Sequence, residues 1–237
     1  MFRFPPLTPL LKQTLIGLLV TFVGLAILEV WVEVRVFGLL ALYPARPGVH
    51  TLWQLFTFPF VYPPGPNSVL GFLIQLLFLW LILAPFELRF GPKRTVQLCL
   101  GASIAGGAVA VFVGLFLPID VPVYGTNPWL LAGITALAMT LPKDATLSFF
   151  GVIPMKRDHL IYLILGLSVL SFLLSKNWIS LVVDLTSVAV GALFIPWSRR
   201  PQGKRPRPKK PSAKGTGGLR VIQGGNDDDD DRPKYLN

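Results

Sequence analysis

The sequence predicts an all-α, polytopic membrane protein with six transmembrane helices. Hydrophobic residues make up 52% of the 237 residues, charged residues only 14%, and the mean hydropathy is +0.60. Apolar runs of about 18 residues or more recur, which is the length at which a helix can cross the hydrocarbon core. The single cysteine, Cys99, falls inside one such run, so neither a disulfide framework nor a cysteine metal cluster is expected. We expect no cofactor.

The predicted spans differ in length. The first follows a basic start with Arg3 and Lys12 and shows no small-residue cleavage site, which indicates an uncleaved span. The fourth and fifth are shorter than the roughly 20 residues of a full crossing, which favours helices surrounded by others or ending at a water-filled cavity. The six spans are predicted at 13–34, 69–84, 95–117, 128–141, 159–174 and 178–196.

The basic residues predict the orientation. With the N-terminus inside, nineteen of the 22 lysines and arginines fall in cytoplasmic segments, and the other three are Arg35, Arg46 and Lys176. Cytoplasmic loops retain positive charge during insertion. We therefore expect an integral multi-pass protein, of the plasma membrane, with both termini in the cytoplasm.

The segments between the spans carry further signals. The outer loop 35–68 is rich in aromatic residues, which predicts an amphipathic segment at the membrane surface. Gly91 and Pro92 predict a tight turn between the second and third spans. The many small residues of the third span predict a central helix, and the spacing from Ser187 to Gly191 predicts close packing of the sixth.

The chain divides by composition into a membrane domain, 1–198, and a tail, 199–237. The tail is basic and then acidic, ending in the run Asp227 to Asp231, and such a composition cannot bury a core, so we expect disorder. The basic run 199–210 is expected to contact anionic lipid of the bilayer. Nucleic-acid binding is not expected, because no aromatic residues interleave with these charges.

The order of several motifs resembles the rhomboid family of intramembrane serine proteases. The resemblance covers roughly residues 10–197 and implies a six-helix rhomboid-like bundle. The motifs are Trp53-Gln-Leu-Phe-Thr57 in the outer loop, Phe86-Glu87-Leu-Arg-Phe-Gly91 after the second span, Gly125-Thr-Asn-Pro at the start of the fourth, Pro142 at its end, and Asp184-Leu-Thr-Ser187-Val-Ala-Val-Gly191 in the sixth.

The resemblance also implies where catalytic residues would lie, and this chain departs from the family at each position. The serine that opens the fourth helix in active members corresponds to Asn127, and the histidine of the sixth helix corresponds to Asp184. The oxyanion asparagine corresponds to Gln75, the histidine one turn before it to Gly71, and the arginine of the outer loop to Gln54. The scaffold positions are kept, namely Trp53, Thr57, Glu87, Gly91, Gly125 and Gly191.

The loss of these residues predicts a protein that is not an enzyme. Acyl transfer needs an oxygen or sulfur nucleophile with a base in reach, and an asparagine amide beside a carboxylate supplies none. Inactive relatives such as derlins and iRhoms imply instead that the protein binds transmembrane segments of single-span client proteins. The resemblance implies a binding cavity at Asn127, Asp184, Gln75, Gly71, Gly125 and Thr126.

An active rhomboid protease with a displaced nucleophile is the first alternative. It would use a hydroxyl near the site, such as that of Thr126 or Thr135. The two histidines are poorly placed to be its base, since His50 lies in the outer loop and His159 begins the fifth span on the predicted cytoplasmic side.

A small transporter that uses Asp184 is the second alternative. Glu29 and Glu33, one helical turn apart near the outer end of the first span, could be paired carboxylates, but interfacial placement is the better explanation, because both are close enough to the outer surface to reach water. The sequence shows no inverted repeat or pair of broken helices that would support transport.

Asn127 and Asp184 also have structural interpretations. Asparagine before proline is typical of a helix start, with its amide oxygen capping free N–H groups and Pro128 in the first turn. A carboxylate inside a membrane is costly unless it is neutral, paired or hydrated. We therefore expect a hydrogen bond between Asn127 and Asp184 that joins the fourth and sixth helices. The alternative is that Asp184 is a protonatable site in a water-filled cavity.

Overall fold

The computed structural model describes residues 5–65, 68–117, 120–140, 146–149 and 153–198. The predicted tail 199–237, with its basic run and its run of aspartates, lies outside the described residues, as does the predicted helix end at Pro142.

In the part of the chain that the structure describes, six apolar helices follow the order of the six predicted spans. Five are long and apolar enough to cross a membrane, whereas the helix Asn127–Met139 has 13 residues and a length of about 20 Å at 1.5 Å per residue. The expected shortness of the fourth span is confirmed, but the fifth was predicted too short and has 19 residues. The helices are α1 Pro9–Ala26, prolonged by a π-helical turn Ile27–Trp31, α4 Ser68–Phe90, α5 Pro92–Gly114, α6 Asn127–Met139, α7 Arg157–Ser175 and α8 Trp178–Ser198.

Shorter elements occupy two of the connections. The outer loop contains α2 Phe37–Leu40, α3 Thr51–Thr57 and a 3-10 turn Phe58–Phe60. Between α6 and α7, β1 Thr146–Phe149 and β2 Ile153–Lys156 form an antiparallel hairpin that pairs Thr146 with Lys156 and Phe149 with Ile153. The predicted all-helical membrane fold is confirmed, with this small hairpin as an addition that the sequence analysis missed.

The connection between α4 and α5 consists of Gly91 alone. Its φ of +84° lies in the left-handed region, which glycine adopts without strain, and Pro92 then starts α5. The predicted tight turn is therefore confirmed. The predicted end of the second span at residue 84 is wrong, because α4 continues through Pro85 to Phe90 and places the buried Glu87 inside the helix, where its carboxylate accepts a hydrogen bond from the hydroxyl of Thr8.

Small residues bring α5, α6 and α8 into close contact. A Cβ atom added at Gly191 would lie 2.4 Å from the carbonyl oxygen of Ala132, so only glycine permits this approach of α8 to α6. The indole Nε1 of Trp129 on α6 donates a 2.7 Å hydrogen bond to the hydroxyl of Ser103 on α5. Because α5 also contacts α3 and α4, the prediction of a central third span is confirmed.

The outer loop is held in place by hydrogen bonds to its own backbone. Trp53 donates through its indole Nε1 to the carbonyl of Leu39 at 3.1 Å, and the hydroxyl of Thr57 donates to that of Leu40 at 2.8 Å. The amide of Gly125 donates to the carbonyl of Phe58 at 3.0 Å. The motif residues of the loop therefore position the segment that leads into α6.

Candidate functional site

Two hollows of different size flank the start of α6. The smaller cavity has about 10 Å³ of space, close to the minimum that one water molecule needs. The larger is an open cleft of about 220 Å³. Gly125 and Thr126 line the small cavity, and the next two residues, Asn127 and Pro128, line the cleft.

The small cavity contains the predicted oxyanion position. Gly125 has a φ of +84°, and a Cβ atom there would lie 3.3 Å from the amide Nε2 of Gln75. The glycine therefore provides both the turn into α6 and the room for Gln75. Thr126 is buried, and its hydroxyl has no hydrogen-bond partner in the described structure. A buried hydroxyl without a partner is unusual, and a single water in the cavity would satisfy it.

Tyr62 fills the space next to Gly71. A Cβ atom at Gly71 would lie 2.9 Å from the hydroxyl oxygen of Tyr62, so the absence of a side chain at this position is what admits the tyrosine. Burial raises the pKa of Tyr62, and the neighbouring Tyr124 raises it further. The two rings meet edge to face with their centroids 5.8 Å apart.

The two residues that the resemblance assigns to the catalytic dyad positions both line the larger cleft. Asn127 is exposed and Asp184 is 8% exposed, and the two line the same cleft from α6 and α8. The two residues are therefore close enough to share one cleft. The full lining consists of Val121, Pro122, Val123, Tyr124, Asn127, Pro128, Asn177, Ser180, Val183 and Asp184.

The expected hydrogen bond between Asn127 and Asp184 is wrong. The polar side chain next to the carboxylate of Asp184 is that of Ser168 on α7. Ser168 is buried and lies on the same face of α7 as Leu160 and Ile164, at intervals of four residues. Asp184 thus joins α8 to α7, and the amide of Asn127 stays available to the cleft.

The capping role predicted for Asn127 is also wrong. Asn127 is the first residue of α6, and Thr126, at the capping position before it, makes no capping hydrogen bond through its side chain. The asparagine that caps a helix is Asn177, whose Oδ1 accepts hydrogen bonds from the amides of Ile179 at 3.1 Å and Ser180 at 3.2 Å. Asn177 has the same sequence signal, an asparagine directly before an apolar helix.

Gln54 lies in the outer loop and lines neither hollow. It is 1% exposed, and its Nε2 donates to the carbonyls of Gly38 at 3.5 Å and Leu39 at 3.3 Å. The predicted equivalent of the loop arginine therefore helps Trp53 to fix α3 against α2.

The hydroxyls considered as displaced nucleophiles have no base beside them. Thr135 donates to the carbonyl of Leu131 within its own helix at 2.7 Å, and Thr126 has no partner. A ring nitrogen of His50 lies 3.1 Å from the carbonyl of Arg46 in the outer loop, and His159 is exposed at the start of α7. Among the described residues, neither histidine lines the small cavity or the cleft.

The described residues near the outer end of α1 form neither a metal site nor a pair of carboxylates. The described residues contain no group of three histidine, cysteine, aspartate or glutamate side chains that could hold a metal ion. Glu29 accepts a hydrogen bond from the amide of Phe37. The helix ends at Trp31, and Glu33 follows it with a φ of 61°. The prediction that the two glutamates lie one turn apart on the same helix is therefore wrong.

The sequence analysis missed several residues that shape the site. The aromatic residues of the outer loop 35–68 are expected at the membrane surface, whereas Tyr62, which is one of them, lies beside Gly71 in the folded loop. Ser168 and Ser180 each have apolar residues directly before and after them in a span, and a polar residue in that setting is the available signal.

Together, the fold and the site define a polytopic helical membrane protein with a two-part hollow at the start of a short helix. A family model, the rhomboid domain, matches residues 49–200, which is more than half of the chain. The protein belongs to the rhomboid family. A comparison with curated protein sequences gives no significant match.

Proposed function

We propose that the protein is a rhomboid-like pseudoprotease that binds transmembrane segments of other membrane proteins without cleaving them. The observation that carries this proposal is the composition of the cleft. Its two family dyad positions hold an amide and a carboxylate, Asn127 and Asp184, and an amide is not a nucleophile for acyl transfer. The cleft itself persists, with a volume of about 220 Å³ and polar groups in its wall.

The residues around the small cavity favour the same proposal. An oxyanion hole must leave room for a substrate carbonyl next to its donors. Here the side chain of Tyr62 occupies the space beside Gly71, and the remaining volume next to Gln75 and Thr126 is about that of one water. A scissile carbonyl would have to displace Tyr62 before it could reach the amide of Gln75.

An active protease with a displaced nucleophile remains the alternative. The hydroxyl of Ser168 is next to the carboxylate of Asp184. Ser168, however, is 4% exposed and does not line the cleft. A substrate in the cleft would therefore meet Asp184 and Asn127 before it met Ser168. We propose that this serine is structural.

The remaining parts of the proposal concern the location of the protein. We propose that it lies in the plasma membrane with both termini in the cytoplasm. The orientation is supported by the basic residues, because nineteen of the 22 fall in the segments that this arrangement puts in the cytoplasm. The basic run 199–210 would then contact anionic lipid of the inner leaflet. Accessibility to an added protease in sealed right-side-out vesicles checks this: the tail stays intact in this orientation and is digested in the opposite one.

Photocrosslinking tests binding and cleavage in one gel. A benzophenone amino acid replaces Tyr124, which lines the cleft, or Phe112 on α5, which is 62% exposed and lies outside it. Each variant is mixed in nanodiscs with two fluorescent synthetic single-span peptides, one of uninterrupted leucine and one with a glycine and a proline near its outer end.

The proposal predicts a light-dependent adduct of full peptide mass at position 124, stronger for the interrupted peptide, and little adduct at position 112. Equal adducts at both positions would refute specific binding in the cleft. Peptide fragments that form without light and require the protein would establish the protease alternative.

A further inference from the structure

We infer that the cleft between α6 and α8 receives the cationic end of a lysine or arginine side chain from the bound transmembrane segment. This inference rests on the proposed function, because it names the chemistry by which the cleft would select its clients.

The charge of the cleft favours the binding of a cation. Asp184 is its acidic residue, and no lysine, arginine or histidine belongs to its described lining. Lys176 is close in sequence, but its side chain is exposed and does not line the cleft. The ion pair recorded in the described part of the chain, Arg46 with Asp120, lies in the connecting loops. Asp184 therefore has no basic partner of its own in the described structure.

The hydrogen bonding of Asp184 leaves it able to accept more. An ionised carboxylate offers about four acceptor positions on its two oxygens. Ser168 on α7 approaches the carboxylate from one side and accounts for one of them at most. Asp184 lines the cleft, so a cation there can reach the remaining acceptor positions of its carboxylate.

Residues near Asp184 offer further groups that attract a cation. Ser180 lies one helical turn before Asp184, and Asn127 faces the cleft from α6, so a hydroxyl and an amide oxygen are available as further acceptors. The exposed ring of Tyr124 adds an aromatic surface, which attracts ammonium and guanidinium groups. These groups would replace part of the hydration that the cation loses.

The size of the cleft fits one side chain. Its volume of about 220 Å³ is below the roughly 300 Å³ at which typical small-molecule pockets begin. Asp184 lies six residues after the first residue of α8, which corresponds to about 9 Å along the helix at 1.5 Å per residue. The client's basic residue would therefore lie about two turns inside the same end of its own span. Such residues are disfavoured in lipid, and the cleft would offer them a better environment.

Three matched peptides test this inference with the natural full-length protein. Fluorescent single-span peptides carry lysine, leucine or glutamate at one position, two turns from the end that matches the cleft, and are otherwise identical. Their apparent affinities are measured by energy transfer to the protein in phosphatidylcholine nanodiscs at neutral pH. The lysine peptide is expected to bind about tenfold to a hundredfold more tightly than the leucine peptide, and the glutamate peptide more weakly than either.

Two variants assign the preference to its residue. Asp184→Asn keeps the shape but removes the charge, and the advantage of the lysine peptide should fall to less than about threefold, below the smallest gain expected from a charged hydrogen bond. Asp184→Glu keeps the charge and should keep the advantage. A lysine advantage that survives Asp184→Asn would place the cation elsewhere and overturn the inference.

The remaining outcomes separate the inference from the proposed function. If the natural protein binds the three peptides equally, the cation inference fails and client binding stands. If it binds none of them, client binding itself fails. A final arm adds phosphatidylethanolamine to the nanodiscs: if its headgroup ammonium abolishes the lysine advantage, the cleft belongs to lipid and the assignment to a client side chain is overturned.

Discussion

The two hollows at the start of α6 differ in how much space they retain. The cavity around Gly125 and Gln75 holds about 10 Å³, whereas the cleft around Asn127 and Asp184 holds about 220 Å³. The resemblance assigns Gln75 to the oxyanion position and Asn127 and Asp184 to the positions of the nucleophile and base. Tyr62 lines the small cavity and fills the space beside Gly71, whereas the cleft around Asn127 and Asp184 keeps more space and has polar groups in its wall. The two hollows therefore differ in whether they have room for part of another molecule.

The largest expected effect concerns the helix contact beside the cleft. Gly191→Ala places a Cβ atom 2.4 Å from the backbone oxygen of Ala132, which must force α8 away from α6. We expect a loss of stability of about 3 kcal/mol or more, because the obstacle is backbone rather than a flexible side chain. Gly166→Ala on α7 is the matched control, since its Cβ meets nothing within 4 Å, and it should gain up to about 1 kcal/mol from helix propensity.

Thermal unfolding in detergent checks both variants. Opposite shifts from the same substitution would show that α6 and α8 are held at a fixed distance around the cleft. A Gly191→Ala variant that is as stable as the natural protein would show that this contact is looser than described.

A second pair of variants distinguishes satisfied from unsatisfied hydroxyls. Ser103→Ala removes the acceptor of the Trp129 indole N–H and should cost about 1–3 kcal/mol. Thr126→Val replaces a buried hydroxyl that has no protein partner and should be neutral or stabilising. Reversible unfolding in mixed micelles measures both. If Thr126→Val costs as much as Ser103→Ala, the Thr126 hydroxyl has a strong partner, and the small cavity is occupied by a tightly bound water.

A double-mutant cycle tests whether Tyr62 closes the small cavity. Gly71→Ala brings a Cβ atom within 2.9 Å of the Tyr62 hydroxyl, and Tyr62→Phe removes that oxygen. We expect the alanine to be about 0.5–1.5 kcal/mol more favourable in the Tyr62→Phe background, a coupling typical of residues in contact. Additive effects on stability would mean that Tyr62 lies away from Gly71 and that the cavity is open.

The smallest expected effect concerns the pKa of Tyr62 and its contribution to stability at high pH. Burial raises its pKa in the folded protein above the ordinary value of 10.0, so the folded state holds its proton more strongly than the unfolded state does. The resulting contribution to stability is fully present below pH 10 and is lost as the pH rises through the folded pKa. Titration of tyrosine absorbance should show a late component that disappears in Tyr62→Phe. A late component that persists unchanged in Tyr62→Phe would not come from Tyr62 and would place this side chain in water.

The sequence predicts the order of the helices because each one carries a long apolar run, and it predicts the packing of Gly191 because small residues mark close contacts. It also predicts that Asn127 and Asp184 share a cleft, through the resemblance. The partners of these residues could not be predicted. Ser168 meets Asp184 only through the packing of α7 on α8, and Tyr62 reaches Gly71 only because hydrogen bonds fold the outer loop over α4. Contacts between distant segments have no local signal in a single sequence.

The most direct test of the central claim is labelling with a fluorophosphonate probe that reacts with activated serine hydroxyls. The natural protein in detergent is compared with an active rhomboid protease and with the double variant Asn127→Ser, Asp184→His, which restores the family's side chains at both cleft positions. The account predicts labelling of the active protease and none of the natural protein. Labelling of the natural protein, abolished by Ser168→Ala or Thr126→Val, would identify a displaced nucleophile and contradict the claim that this cleft binds without chemistry.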